Sequence, residues 1–376
     1  MASTPAGSWP VTEAPGETTA AATAEATAEA TGGTTGEATH GTTEPTTEPT
    51  AAPVAAPMAE CFGGAVHLAC AESPADELAV IVAGFSGYEA QTRARALTRL
   101  AALRGLRRLP GDRHRTVQAG TELRLSDFVA DPPAGLGLHV PGTGLLSGRR
   151  YRLPAEVVWA GGHECLVEPA TSGVVDSGVP EAIAEVVAHD VVARWWAEPR
   201  EPLLRVSAAL GRLLPAGVTA AASGLGLRMS AFVLSVPDLR VALVTVGGEG
   251  ATLAAAAGRT VRQAVCEAFL RAMAAKAQPW STLELPDCLR RFAVWQREAD
   301  YAAYLERLAV DADPRLVDEV SGLRPSGWPE IAARRFGHEP VAVRADGDGP
   351  VVKVLCPGAL CYRAASGATV LPCPVP

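Results

Sequence analysis

Apolar positions along this chain recur with two periods, and the changes of period mark its elements. ELAVIVAGF (77–85) is nearly unbroken in apolar side chains and predicts a buried strand, as does VALVTVGG (241–248). EAQTRARALTRLAALRGL (89–106) carries a helical period and is followed by Pro and Gly at 110–111. VPEAIAEVVAHDVVARWW (179–196) predicts a second helix, with Pro180 suited to its first turn. TVRQAVCEAFLRAMAAKA (260–277) predicts a third, and the amphipathic stretch 289–308 a fourth. HEPVAVRA and PVVKVLCPG, within 338–358, predict short strands. Helices and strands interleave irregularly, so the expected fold class is α+β (mixed α/β), as a single large domain over 60–376. Ordered structure is expected from near Cys61. Residues 1–59 form an Ala/Thr/Glu/Pro tract with TAEATAEAT and TTEPTTEPT repeats. It has too few large apolar side chains to offset the entropy of ordering and predicts a disordered tail.

Charge changes this picture little. The net charge of −8 comes almost wholly from the tail, where 1–59 hold seven Glu and no Lys or Arg. The remainder carries 34 acidic and 33 basic groups, a balance that argues against a nucleic-acid binder. The eight cysteines show no zinc-ribbon or C-x-x-C spacing, and reduced thiols in a cytoplasmic protein are expected. Cys356, Cys361 and Cys373 remain a weaker thiolate alternative. No secretory signal pattern and no apolar run of about 20 residues is present, so no membrane association is expected.

Several blocks then follow one another: LLSGRRYRLPAEVV, EPATSGVVDSGVPEAIAEVVAHDVVARWW, GEGATLAAAAGRTVRQAVCEAFLRA, VVKVLCPGAL and the final PCPVP. In this order they resemble the YcaO superfamily, over roughly 77–376. The resemblance implies ATP and Mg²⁺ as cofactors and phosphorylation of a backbone amide oxygen of a peptide. In the azoline-forming branch a Cys, Ser or Thr side chain attacks the preceding carbonyl, giving a thiazoline or oxazoline. A P-x-P-x-P end is typical of that branch and lies near its active site, which implies a catalytic role for the C-terminal carboxylate of Pro376. Proline fixes φ, so such a spur loses little entropy when held extended. Thioamide or amidine formation, also found in the superfamily, fits this end less well.

Laid on the family's motifs, the ligand residues are incomplete. Mg²⁺ prefers six oxygens and usually takes one or two carboxylates with phosphates and water. On helix 89–106 the family's Ser falls on Arg95, its two Glu on Arg99 and Ala102, and its Arg on Leu103. A guanidinium cannot ligate a metal. In the second run Ser172 and Gly173 match a turn before the helix, and Glu185 and Asp190 match the first Glu and the Asp. Ala188 replaces the second Glu there, and His189 the Arg. Glu267 matches a retained Glu, but Arg271 stands where Gln is expected. Ser172, Glu185, Asp190 and Glu267 are thus candidate ATP/Mg remnants, and Arg99, Ala102, Ala188 and Arg271 degenerate positions. A salt link from Arg99 or Arg271 to Glu185 or Glu267 is expected to fill the space where metals would sit.

A copy impaired in this way is expected to act as a divergent partner or peptide-binding subunit. Its implied partners are a ribosomal precursor peptide and a leader-binding or active YcaO subunit, in a homo- or heterodimer. Residues 93–115 carry eight Arg against one Asp, and Arg104, Arg107 and Arg108 are the candidate contacts for an acidic leader peptide. The alternatives are a solvated helix face for that patch, and an active ATP-dependent cyclodehydratase for the whole. SGLGLRM (223–229) and GGEGAT (247–252) lack the residues of phosphate-binding loops. GFSG (84–87) is no nucleophile elbow, and HEC (163–165) lacks a downstream P-C-x-x-C. His139 and His163 are expected in loops, and Trp195 and Trp196 in the core.

Overall fold

A computed structural model of the protein describes residues 54–55, 59–76, 78–107, 120–129, 137–158, 172–248, 250–277, 299–318, 326–345, 349–360 and 373, all within one unit, 49–376. The first sheet is antiparallel and joins β1 (Val54–Ala55), β2 (Ala59–Cys61), β3 (Val66–Ser73) and β4 (Leu78–Phe85). Strands thus start before the expected boundary at 60. The remainder of the expected tail lies outside the described residues. Helix α1 (Glu89–Arg107) follows. Next come β5 (Thr121–Glu122), β6 (His139–Gly144), β7 (Arg150–Pro154), the short α2 (Ala155–Val158) and β8 (Ser172–Val174).

Helix α3 (Val179–Ala197) leads to β9 (Leu204–Arg205), the short helices α4 (Leu210–Leu213) and α5 (Val218–Gly224), and the long hairpins β10 (Arg228–Val236), β11 (Leu239–Gly248) and β12 (Gly250–Gly258). Then follow α6 (Val261–Ala277), α7 (Tyr301–Leu308), β13 (Val310–Asp311), α8 (Pro314–Asp318), α9 (Trp328–Phe336), β14 (Val341–Arg344) and β15 (Val351–Leu355). The second sheet runs β12-β11-β10-β9-β13 and the third β5-β7-β6-β14-β15-β8. The α+β expectation therefore stands.

Strand periodicity explains how the layers stack. Successive side chains point to opposite faces. Phe232, Leu234, Leu243 and Ala255 share one apolar cluster with α3, whereas Val233, Val244 and Ala256 share another with α6. On the first sheet Val66 and Ala83 join the α6 cluster, while Ala69, Ala71, Val80 and Val82 pack against Ala96 and Leu100 of α1. Helix α6 thus lies between two sheets, with α1 and α3 on their far faces. Phe269 of α6 stacks on Phe85 at 6.0 Å and meets Phe62 edge-on at 5.9 Å. The third sheet closes the remaining side, packing Leu355 and Val343 against Ala102 and Leu106 of α1.

Several expectations need correction. Within the described part of 289–308 the helix starts at Tyr301, where Asp300 caps it by accepting the Ala303 N–H at 2.9 Å. Residues 289–298 lie outside the described residues. Ser172 and Gly173 form a strand rather than a turn, paired with Leu355 and Val354 of β15. His139 opens a strand instead of sitting in a loop, and His163 is outside the described residues. GGEGAT makes the tight connection between β11 and β12, with Gly248 opposite Gly250. Trp195 and Trp196 are buried, as expected.

Strand β8 approaches α3 so closely that a Cβ on Gly173 would lie 2.2 Å from the Ala182 carbonyl oxygen. Gly173→Ala should therefore destabilise the protein by about 3 kcal/mol. Gly211→Ala, on an open face of α4, should stabilise it slightly instead. Urea unfolding of both variants checks the contrast in sign.

Candidate functional site

Three helices, α1, α3 and α6, each contribute two side chains one turn apart. Residues at i and i+4 share a helix face, so Arg95 and Arg99, Glu185 and His189, and Glu267 and Arg271 form three facing pairs. Asp176, in the turn between β8 and α3, adds a third carboxylate. Ser177 Oγ donates to its Oδ1 at 2.9 Å.

The charges alternate around a closed ring. Asp176 Oδ2 is 3.6 Å from Arg95 Nη2, which is 3.3 Å from Glu267 Oε1. Glu267 Oε1 is 3.1 Å from Arg271 Nε, and Arg271 Nη1 is 3.4 Å from Glu185 Oε2. Glu185 Oε1 is 3.8 Å from Arg99 Nη2, and Arg99 Nη1 returns to Asp176 Oδ2 at 3.3 Å. Each arginine bridges two carboxylates and each carboxylate meets two arginines. Three positive and three negative charges cancel.

Titration follows from this arrangement. Burial pushes the Glu185 carboxyl up, but Arg271 and Arg99 together hold it down at about 2. Burial likewise opposes ionisation of Glu267, and Arg271 and Arg95 outweigh it. Arg271 loses hydration, yet Glu185 and Glu267 fix its charge more firmly than in water. Burial lowers His189 to about 4, against the pull of Glu185 and with help from Arg271 and Arg99. The imidazole is therefore neutral near pH 7, and the ring stays balanced.

The expected salt links from Arg99 and Arg271 to Glu185 and Glu267 are present. Asp190 is elsewhere. Its carboxylate is fully buried, takes bonds from Arg194, Arg335 and the Leu360 N–H, and shares no partner with the ring. Ala102 and Ala188 are buried in separate apolar clusters and offer nothing to a ligand. Arg104 is not the free cation expected of a leader-peptide contact, because Asp76 pairs with it at 2.5 Å. Arg108, Pro376 and the side chains of Arg107 and Ser172 lie outside the described residues.

Sequence reasoning missed Asp176 as a member of the site. Its one local signal was its place just before the SGVP helix start. Among the described residues no three His, Cys, Asp or Glu side chains are placed to hold a metal ion. The arginines keep the carboxylates apart. Mg²⁺ at Glu185 would have to displace a guanidinium from either oxygen, and Glu267 and Asp176 each keep one oxygen on two arginines, so these residues do not fit a magnesium–nucleotide complex as they stand.

No protein-family profile and no curated protein matches the sequence. Solved structures do match. The chain is similar to YcaO from Methanopyrus kandleri bound with AMPPCP and Mg²⁺, at 16% identity and a TM-score of 0.55, over 81% of this chain and 86% of that one. It is similar to the E. coli microcin synthetase McbBCD complex at 10% identity and a TM-score of 0.54, over 86% of this chain and 96% of that one. It is also similar to a heterocyclase in complex with substrate and cofactor, at 14% identity and a TM-score of 0.53, over 78% of this chain. There it spans about half of the other chain, 48%. The chain has the YcaO fold. Among the described residues no helix is long and apolar enough to cross a membrane.

Two measurements probe the ring. Removing one member leaves the ring one charge out of balance, so Arg271→Gln should cost about 3 kcal/mol in urea unfolding at neutral pH. His189 has a depressed pKa in the fold, so the unfolded chain binds its proton first as pH falls. Its contribution is complete above the ordinary value of 6.5 and is lost as pH falls towards about 4. His189→Gln should flatten stability against pH over that window; an unchanged slope would count against a buried neutral imidazole.

Proposed function

We propose that this chain, built on the YcaO fold, is a divergent subunit of a peptide-heterocyclising system in which its own arginines close the nucleotide site. It would act as a scaffold or peptide-binding partner for an active YcaO subunit, as half of a heterodimer or within a larger complex. The observation that carries this reading is the ring itself. A divalent cation beside Glu185 would find both carboxylate oxygens taken by guanidinium groups, and the three arginines of the ring offset the attraction of its three carboxylates, so no net field draws the cation in. A bare triphosphate fares no better, because each guanidinium is already matched by two carboxylates. The precursor peptide remains the implied ligand of the complex. Charge steering by residues 93–115 is weakened, since Arg95, Arg99 and Arg104 are engaged inside the fold.

One observation favours a second reading, an active ATP-dependent cyclodehydratase. Cys373, inside the P-C-P-V-P end, is fully buried in the same apolar cluster as Cys356 and Ala359, which anchors the chain to the core at that residue. That anchoring suits an end with a task, in the way the azoline-forming branch uses its terminal carboxylate.

Calorimetric titration of the full chain with Mg·ATP separates the two. The ring predicts no binding up to about 1 mM, an affinity weaker than about −4 kcal/mol. Micromolar binding would overturn the closed-site reading and direct the protein to assay on Cys-, Ser- and Thr-containing peptides. Arg99→Glu, run alongside, reports whether opening the ring restores any binding.

A further inference from the structure

We propose that Asp190 is a positioning residue for the C-terminal segment: it is the buried anion that fixes Cys356–Leu360 against α3 and α9. Asp190 lies five residues beyond Glu185, about 140° further around α3, so it faces away from the ring. Its side chain is fully buried. Oδ1 accepts from Arg194 Nε at 2.9 Å and from the Leu360 N–H at 2.7 Å. Oδ2 accepts from Arg335 Nε of α9 at 2.6 Å and again from Arg194 Nε at 3.1 Å. One carboxylate thereby joins its own helix, a second helix and the backbone of a segment 170 residues away.

The segment is held at other points that make this anchor directional. Arg194 Nη2 also donates to the Gly358 carbonyl at 3.2 Å, and the Gly358 N–H donates to the Asp127 carbonyl at 2.9 Å. Gly358 has φ +84°, and a Cβ there would lie 2.6 Å from the Phe336 carbonyl, so the backbone passes tightly over the end of α9. Cys356 and Ala359 are buried in the α3 cluster, and Cys373 returns to that cluster further along. Charge-assisted bonds to a desolvated carboxylate are about twice as strong as neutral ones. Asp190 therefore dominates the polar hold on Leu360. This assignment does not depend on whether the chain binds ATP.

Hydrogen exchange on the full-length protein tests it. Asp190→Asn keeps the shape and one acceptor but loses the charge. It should speed exchange in 356–360 by about tenfold while leaving protection of α6 unchanged, the pattern of local release rather than global weakening. Arg335→Gln should act in the same direction to a smaller extent, and carries the test if Asp190→Asn does not fold. Unchanged protection of 356–360, or a loss that merely parallels α6, would overturn the proposal.

Discussion

Charge alternation at one point governs how this molecule is held together. Helices α1, α3 and α6 belong to different layers, separated by two sheets, and apolar packing alone places no two of them in a fixed register. The ring of six charges does. Each arginine bridges carboxylates from two different elements, so the three helices are constrained jointly rather than in pairs. His189 sits beside the ring in its neutral form, which keeps the balance at three against three.

The apolar framework around the ring is of a different kind. Helix α6 is covered on both sides, by Phe62 in the turn between β2 and β3 and Phe85 of β4, and by the even-numbered positions of β11 in the second sheet. Helix α3 is similarly enclosed, and its two buried polar features serve separate ends. Glu185 looks towards the ring; Asp190 looks towards α9 and the segment after β15. A helix anchored on two faces by charge and on the others by alanine and valine has little freedom to slide.

Much of this was legible in the sequence. The helices at 89–106, 179–196 and 260–277 were visible because each carries a long, regular period, and their observed limits differ by a residue or two. The strand at 241–248 was visible for its valine content. Strand β12 was not, since GATLAAAAG contains residues that favour helix or turn. Its alanines are there because α3 and α6 press on its two faces, a tertiary demand that local propensity does not record. The same holds at the site. The salt links of Arg99 and Arg271 could be anticipated by laying residues on a motif, but Asp176 lies in a connecting turn and meets Arg99 across 77 positions of sequence. Arg104 shows the converse: an Arg-rich stretch gives no sign that Asp76 pairs with one of its members.

The closed ring also constrains how this sequence can change. Any single replacement that adds or removes a charge, at Arg99 for example, leaves the remaining members unbalanced. Passing from this neutral arrangement to another therefore requires at least two coordinated substitutions, with a less stable protein in between. Drift away from such a ring is equally slow. The instability of the intermediates protects the ring on every path out of it.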